Sequence, residues 1–291
     1  MSQNTFSPPL PLASGGEMNG PTHGRLVEIA RQIRIHIIKM TAAAKSGHPG
    51  GSLSIADIMA YLFFAEMRLD PDDRERTDRD RFVLSKGHAA PALYATLALR
   101  GFFPQKDLIS LRKIDSHLQG HPHRLDTPGV EASTGSLGQG LSMACGMALG
   151  LRLSNVPANV FCIIGDGESQ EGQIWEAAMA AGFRKLSNLC AFLDYNNLQI
   201  DGKVTDIKDI NPIKAKWESF RWQTLEIDGH DLIQIHSAVR AFKNEKERPT
   251  MIVSHTVKGK GVSFMENQVD FHGVAPNEEE KEIALKELSD G

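Results

Sequence analysis

Short apolar runs that alternate with helical segments constrain the fold of this chain more than any other feature of its sequence. Runs at 81–85, 159–165 and 188–194 are apolar almost throughout, and further strand-like runs follow at 223–227 and 250–254. Strands of this kind that alternate with helices indicate a parallel sheet. The sequence therefore predicts the α/β fold class, with a parallel sheet flanked by helices on both faces.

The segments around these strands have apolar residues at helical spacing or a recognisable helix start or stop. Ser54 and Asp57 resemble a capping box, the residues HPGGS break the preceding helix, and Gly101 ends a later one. The predicted helices are 26–46, 54–67, 89–100, 141–154, 171–183, 213–219, 232–242 and an acidic C-terminal helix over 277–291.

The first residues differ in composition from the rest of the chain. Residues 1–23 are rich in Ser, Gly and Pro, which predicts a flexible tail ahead of one domain over 24–291. The tail has no signal-peptide pattern, and no apolar run reaches membrane-spanning length. Cys145, Cys162 and Cys190 lie far apart in apolar stretches, as buried thiols of a reducing compartment do. We therefore expect a cytoplasmic protein that does not enter a membrane.

Charge limits the classes of ligand. The formal net charge is −4, which argues against non-specific nucleic-acid binding because that requires a basic surface. An anionic small molecule would need a local arrangement of metal ion, positive charge or backbone N–H groups.

Such an arrangement is predicted where two neighbouring strands end. Gly165, Asp166 and Gly167 follow one strand, and Asn196 and Asn197 follow the next. The residues between them fit a βαβ crossover, which brings the carboxyl ends of two parallel strands together. One carboxylate, one amide oxygen and backbone carbonyls suit Mg²⁺ that shares its shell with phosphate. The glycines allow close approach of the backbone, and the following helix N-terminus favours an anion.

Seven motifs in order resemble those of transketolases, enzymes that use thiamine diphosphate. They are SGHPGGSLSIADI, DRFVLSKGHAAPALYATLALRG, GHP at 120–122, STGSLGQGLS, GDGESQEG, NNLQIDG and FHG at 271–273. The resemblance extends from Leu26 to Pro276. It implies the thiamine diphosphate-binding fold, and transfer of a two-carbon ketol unit from a ketose to an aldose.

The resemblance also implies roles for individual residues. Asp166, Asn196 and the backbone carbonyl of Leu198 match the magnesium ligands, at a site that could also take Ca²⁺ or Mn²⁺. The residues implied to contact the cofactor are His88, Gly135, Ser136, Leu137, Gly165, Asp166, Gly167, Glu168, Asn196, Leu198 and His272. The residues implied to bind the sugar or assist catalysis are His48, His88, His121 and His272, with Glu171 and Glu176 in a carboxylate network between paired active sites.

A transketolase of full length has two further domains after the region that this chain matches. In the family, the pyrimidine-binding domain supplies the glutamate that activates the cofactor and most of the basic residues that hold the sugar phosphate. The resemblance therefore implies the N-terminal subunit of a split transketolase, inactive alone. Its expected partner is a C-terminal subunit with the pyrimidine-binding and C-terminal domains, in a heterotetramer with two copies of each chain.

One departure from the family pattern bears on the substrate. The residues after GHP are His123 and Arg124, where the family commonly has an acidic residue. Two basic groups near the mouth of the site could favour an anionic ketose, either sulfonated or phosphorylated. The alternative is an exposed loop without substrate contact.

Other functions remain open from the sequence. Among thiamine enzymes, the alternatives are a subunit like 1-deoxyxylulose-5-phosphate synthase or like a 2-oxo-acid dehydrogenase. A non-catalytic homologue that keeps the fold is an alternative of a different class. A nicotinamide dehydrogenase is not favoured, because GSLGQG does not follow a clear strand in the required glycine order.

Overall fold

A parallel sheet forms the centre of the computed structural model, which describes residues 18–290. In chain order the strands are β1 (Arg81–Leu84), β2 (Val160–Gly165), β3 (Leu189–Tyr195), β4 (Leu198–Gln199), β5 (Gly202–Lys203), β6 (Gln223–Asp228) and β7 (Thr250–His255). The large sheet has the order β1-β2-β3-β7-β6, and every neighbouring pair in it is parallel. The short strands β4 and β5 pair antiparallel. The predicted α/β class and all five predicted strands are confirmed.

Helices connect these strands. They are α1 (Gly20–Ala44), α2 (Pro49–Leu53), α3 (Ala56–Tyr61), α4 (Ala90–Arg100), α5 (Gln139–Leu153), α6 (Gly172–Phe183), α7 (Val204–Ile207), α8 (Ile213–Ser219), α9 (Leu232–Asn244) and α10 (Glu278–Asp290). A π-helical turn over Leu62–Glu66 extends α3. Across residues 18–290, no helix combines the length and the apolar character that a membrane span requires.

Both faces of the sheet are buried, which explains the apolar strand sequences. Along β2, Phe161 and Ile163 pack in the layer that contains α1, α3, α4 and α9. Cys162 and Ile164 pack in the opposite layer with α5, α6 and α8. Because successive side chains of a strand point to opposite faces, each layer requires its own apolar set.

The register brings the carboxyl ends of three central strands to one level. Gly165 of β2 lies opposite Asp194 of β3, and Asp194 lies opposite Ser254 of β7. The residues that follow these strands therefore meet at one end of the sheet, where ligands bind in open α/β folds.

The N-terminal helix begins earlier than the sequence predicts. Its first residue is Gly20, whereas the pattern indicated a start near Leu26 and a tail that continues to residue 23. Asn19 caps the helix, because its side-chain oxygen accepts a hydrogen bond from Thr22 N (2.9 Å), and Pro21 suits the first turn. Residues 1–17 of the predicted tail lie outside the described residues, and the division into tail and domain stays a prediction.

The segment 49–66 also differs from its prediction. The residues after His48 form the short helix α2 rather than a break, and Ser54 and Asp57 do not form a capping box. The Ser54 hydroxyl donates to Asp194 Oδ2 (2.7 Å), and Asp57 pairs with Arg34. Buried carboxylates need donors and counter-charges, and here those tertiary requirements outweigh the local capping preference.

Candidate active site

One cavity of about 360 Å³ opens at the carboxyl end of the sheet. The predicted site residues that line it are His48, His88, His121, Gly135, Leu137, Gly165, Asp166, Gly167, Glu168, Glu171, Asn196, Leu198 and His272. The fold therefore collects residues from seven separate motifs around one space. Ser136 and Glu176 are the predicted site residues that do not line it.

The three predicted metal ligands lie on the same wall of this cavity. Asp166 is buried, and its carboxylate accepts hydrogen bonds from Gly167 N (2.7 Å) and Asn197 N (2.5 Å). The second bond is possible because Asn197 adopts a left-handed conformation (φ 58°), which asparagine tolerates well. Asn196 and Leu198 are the sequence neighbours of Asn197. This hydrogen bond therefore brings the Asn196 side-chain amide and the Leu198 backbone carbonyl close to Asp166.

Asp194 accepts hydrogen bonds from several residues around the predicted metal ligands. Its carboxylate has no solvent exposure and accepts hydrogen bonds from Asn196 Nδ2 (2.9 Å), Lys86 Nζ (2.5 Å) and Ser54 Oγ (2.7 Å), and from Thr256 Oγ1. Burial raises the pKa of Asp194, but the Lys86 ammonium and the hydroxyl donors outweigh burial and lower it. The ionised carboxylate therefore holds the Asn196 amide by its nitrogen.

Two buried lysines were missed by the sequence reasoning. Lys86 follows β1 and also donates to Gly51 O (2.7 Å). Lys258 follows β7 and donates to Leu198 O (2.9 Å), with His272 Nδ1 at 2.7 Å from its Nζ. Burial and the nearby Lys86 charge lower the pKa of Lys258 to about 8. The available signal was a lysine next to glycine within three residues of the end of a strand, in SKGH and TVKGKG. An isolated lysine, however, is usually a surface residue.

Two buried carboxyl groups in the cavity lining, those of Asp166 and Glu168, have raised pKa values. Burial and the charge of Asp194 raise the pKa of Asp166 to about 7. Burial also raises the pKa of Glu168, although Glu168 accepts hydrogen bonds from Ser85 Oγ (2.5 Å), Gly138 N (2.9 Å) and Gly165 N (3.0 Å). The buried Glu168 side chain thereby links the residues that follow β1, the end of β2 and the start of α5 by hydrogen bonds.

The four predicted histidines form one group. The His48 ring centroid lies 5.3 Å from that of His88, 5.5 Å from that of His272 and 6.4 Å from that of His121. The His88 and His272 rings stack at 5.2 Å. Four histidines from separate loops are therefore close enough to act on one ligand.

These imidazoles are uncharged at neutral pH. Burial, followed by the nearby Arg112 charge, lowers the pKa of His48 to about 4. Burial and the nearby Lys258 lower the pKa of His272 to about 3, and burial and the nearby Lys86 hold the pKa of His88 well below its usual value. Burial and Arg112 also lower the pKa of His121. Among the described residues, no partner is found for the buried Nδ1 of His48, which leaves that atom available to a ligand.

The loop predicted to contact the cofactor ring closes one side of the cavity. Gly135 is in a left-handed conformation (φ 147°), and a Cβ there would lie 2.9 Å from the His121 ring. Glycine is therefore required at this position for both backbone and space. Leu137 contributes an apolar wall, whereas Ser136 is not part of the cavity lining.

The two predicted network glutamates occupy different positions on one helix. Glu171 is the N-cap residue of α6 and lines the cavity. Glu176, further along α6, lies outside the cavity lining. The N-terminal end of α6 therefore borders the cavity, and the rest of the helix runs away from it.

His123 and Arg124 do not join the four histidines. His123 Nδ1 lies 2.8 Å from Asp126 Oδ2. Arg124 lines a different cavity of about 340 Å³, which Arg74 and Glu131 also line. This placement favours the exposed-loop interpretation over a direct contact with the sugar.

The residues present fit thiamine diphosphate with a divalent ion. Asp166, Asn196 and the Leu198 carbonyl provide the oxygen donors that Mg²⁺ prefers. The buried lysines Lys86 and Lys258 supply the positive charge that a diphosphate needs. No cluster of three or more His, Cys, Asp and Glu side chains suited to a metal ion occurs in the range 18–290, and this donor set does not require one.

Comparisons with known proteins show which family this chain resembles. The family model described as the transketolase thiamine diphosphate binding domain matches residues 26–289. A 6-deoxy-6-sulfo-D-fructose transketolase subunit from Clostridium sp. (strain MSTE9) is 48% identical over 83% of this chain and 88% of that protein. An apulose-4-phosphate transketolase subunit from Phocaeicola vulgatus is 39% identical over 88% of this chain and 91% of that protein.

Solved structures show the same similarity over a smaller part of their length. The transketolase from Leishmania mexicana superposes with a TM-score of 0.87 at 31% identity. It matches 91% of this chain but 41% of its own chain. The chain thus spans about two-fifths of that solved relative, and nearly all of the two separate subunits.

Proposed function

The chain belongs to the transketolase family, and on this premise we propose that it is the N-terminal, thiamine diphosphate-binding subunit of a split transketolase. One observation carries the proposal: the chain covers most of two relatives named as transketolase subunits, but 41% of a solved transketolase chain. A single cavity lined by the predicted cofactor and histidine residues supports it.

We assign the cofactor contacts from the positions of the residues. Asp166, Asn196 and the Leu198 carbonyl would hold Mg²⁺, and Asp194 would orient Asn196. Lys86, Lys258 and Gly167 N would face the diphosphate, and the 135–137 loop would contact the ring. Bound thiamine diphosphate supplies a nucleophilic carbon and an electron sink for cleavage of a carbon–carbon bond.

The four histidines would serve the sugar. A ketose in the cavity presents hydroxyl groups, and uncharged imidazoles can donate a hydrogen bond from one ring nitrogen and accept one at the other. His48 offers its unpartnered Nδ1, while His88 and His272, stacked on each other, stand beside it. Proton transfer to and from sugar oxygens is then available without long movements of side chains.

The donor is proposed to be an anionic ketose. The two subunit relatives are named for a sulfonated sugar and a sugar phosphate. His123 and Arg124 do not reach the cavity, so we expect the partner subunit to supply the groups that hold the anion. The proposed partner carries the pyrimidine-binding and C-terminal domains, in a heterotetramer with two copies of each chain. The cytoplasmic location stays a prediction.

Reconstitution with the partner subunit tests this function. We expect ketol transfer from an anionic ketose to an aldose only with both subunits, thiamine diphosphate and Mg²⁺ present. Asp166→Ala and Asn196→Ala should each lower activity at least about 100-fold and weaken magnesium-dependent cofactor binding measured by calorimetry. Full activity of this chain alone would contradict the split. Normal assembly without any cofactor binding would indicate a non-catalytic homologue instead.

A further inference from the structure

Arg112 lies beside the histidine group and has no assigned role. Its backbone is left-handed (φ 60°), and its N–H donates to Leu118 O (2.8 Å), which closes the loop between them. The guanidinium donates through one nitrogen to Ser46 Oγ (3.0 Å) and through another to Gly120 O (3.5 Å). The side chain thus joins two segments that are 74 residues apart in sequence, from 46 to 120.

The guanidinium packs closely against the backbone of Gly120. A Cβ at residue 120 would lie 3.0 Å from Arg112 Cζ and 3.0 Å from its Nε. Gly120 is not in the left-handed region, unlike Gly135. A methyl group at residue 120 would therefore displace the guanidinium by a few tenths of an ångström, and the constraint on this residue comes from space rather than from backbone conformation.

Both segments that Arg112 joins carry a histidine of the site. Ser46 precedes His48 by two residues, and Gly120 directly precedes His121. The centroids of those two rings lie 6.4 Å apart. A rigid planar group that bonds to both segments fixes their separation better than a flexible chain could, because its donors lie in a fixed fork.

We propose that Arg112 is a positioning residue for His48 and His121, which holds their two loops at one spacing and places a permanent positive charge beside both rings. The proposal refines the proposed function, and its first test does not depend on that function.

The charge has a defined consequence for the rings. His48 faces the charged groups of Arg112, Lys258 and Lys86 and the ring of His121, and Arg112 is the largest of these influences after burial. Arg112 is also the charge that acts on His121. A nearby cation disfavours protonation, so loss of Arg112 should raise both pKa values.

Histidine titration by NMR on the isotope-labelled full chain tests this directly. Arg112→Gln should raise the pKa of His48 and of His121 by about half a pH unit, because one unit charge is lost near each ring. Arg112→Lys should keep both pKa values near those of the wild type. Lys113→Gln is the matched control, since it removes an exposed charge one residue away and should change neither ring. Unchanged pKa values in Arg112→Gln would overturn the proposal.

A second variant protects the test against misfolding of Arg112→Gln. Gly120→Ala keeps every charge, but its methyl group would shift the guanidinium by a few tenths of an ångström. We expect the His121 pKa to rise by a smaller amount than in Arg112→Gln, and the NMR cross-peaks of the 46–48 and 120–121 segments to shift together. If the cross-peaks of the 120–121 segment shift and those of the 46–48 segment do not, the proposal is overturned.

Kinetics of the reconstituted complex test the positioning role. Arg112→Lys should lower kcat about tenfold with little change in KM for the ketose, whereas Lys113→Gln should retain wild-type values. In Arg112→Gln the acid limb of the pH profile should also move to higher pH. Equal rates for Arg112→Lys and the wild type would contradict the role. Absence of ketol transfer in the wild-type complex would refute the proposed function, while the NMR result would still decide the role of Arg112.

Discussion

Asp194 is a single residue on which several parts of the site depend. It is the only carboxylate within salt-bridge distance of the Lys86 ammonium among the described residues, and both side chains are almost inaccessible to solvent. Asp194→Ala would leave a buried ammonium without a counter-charge. We expect a loss of about 3–5 kcal/mol in the free energy of unfolding, measured by urea denaturation.

An exposed ion pair provides the control for this variant. Lys185 and Glu247 also lie within hydrogen-bond distance (2.7 Å), but both side chains are well exposed. Glu247→Ala should therefore cost less than about 1 kcal/mol. Similar losses for the two variants would show that Lys86 is stabilised by groups other than Asp194.

A second buried carboxylate should make stability depend on pH. Asp57 accepts two hydrogen bonds from Arg34 and lies 2.7 Å from His230 Nδ1. Burial raises its pKa, but Arg34 and His230 outweigh burial and lower it from 3.8 to about 2. Its folded pKa is below the unfolded value, so its contribution is complete above pH 3.8 and is lost as the pH falls through about 2.

Asp57→Asn should reveal that contribution. The variant should be less stable than the wild type by about 2 kcal/mol at pH 7, as the pKa difference implies. The gap should stay constant between about pH 7 and pH 5 and narrow below about pH 4, in urea denaturation at each pH. A gap that does not change with pH would exclude an ionised Asp57 as its origin.

Single residues of the site were predictable where a motif surrounds them. His48, His88, His121 and His272 each stand next to glycine or proline in a turn, and the structure brings all four together. Lys86 and Lys258 could not be recognised as buried, because burial of a charge depends on partners from distant strands. The distant partner of Lys86 is Asp194, which β3 supplies.

At the scale of elements, the strands were more predictable than the segment after α1. A strand buried on both faces is apolar at every position, so β2 and β3 begin and end within a residue of their predicted limits. The segment 49–66 obeys tertiary partners instead: Ser54 bonds Asp194 and Asp57 bonds Arg34. Local sequence does not contain that information.

The packing of α6 gives a prediction about a glycine. A Cβ at Gly182 would lie 1.8 Å from Phe220 O, so α6 can approach that backbone only without a side chain there. Gly182→Ala should force the two apart and lower the free energy of unfolding by about 1–3 kcal/mol. The measurement is urea denaturation of the full chain.

Gly150 is the matched control for Gly182. It also lies inside a helix, in α5, but nothing stands within 4 Å of a Cβ built there. Gly150→Ala should therefore stabilise the chain by up to about 1 kcal/mol, through the better helix propensity of alanine. Destabilisation by both substitutions to the same extent would mean that the close approach to Phe220 is not what requires glycine at 182.

At the scale of the whole molecule, the outer surface of α6 carries two exposed large apolar side chains. Met179 is 59% exposed and Phe183 is 70% exposed, both on the helix whose N-cap, Glu171, lines the cavity. Large apolar side chains that are grouped on a surface commonly mark an interface. In the proposed complex we assign this surface, on the same helix as Glu176, to contact with the partner subunit.

That assignment predicts how assembly responds to mutation. Phe183→Asp should weaken association of this chain with its partner subunit at least about tenfold, because a charge would replace an apolar contact of the interface. Ile233→Asp is the control, since Ile233 is 56% exposed on α9, in the layer on the opposite face of the sheet. Association can be measured by light scattering across a concentration series, after circular dichroism has shown that both variants fold. If Phe183→Asp assembles like Ile233→Asp, the α6 surface lies outside the interface.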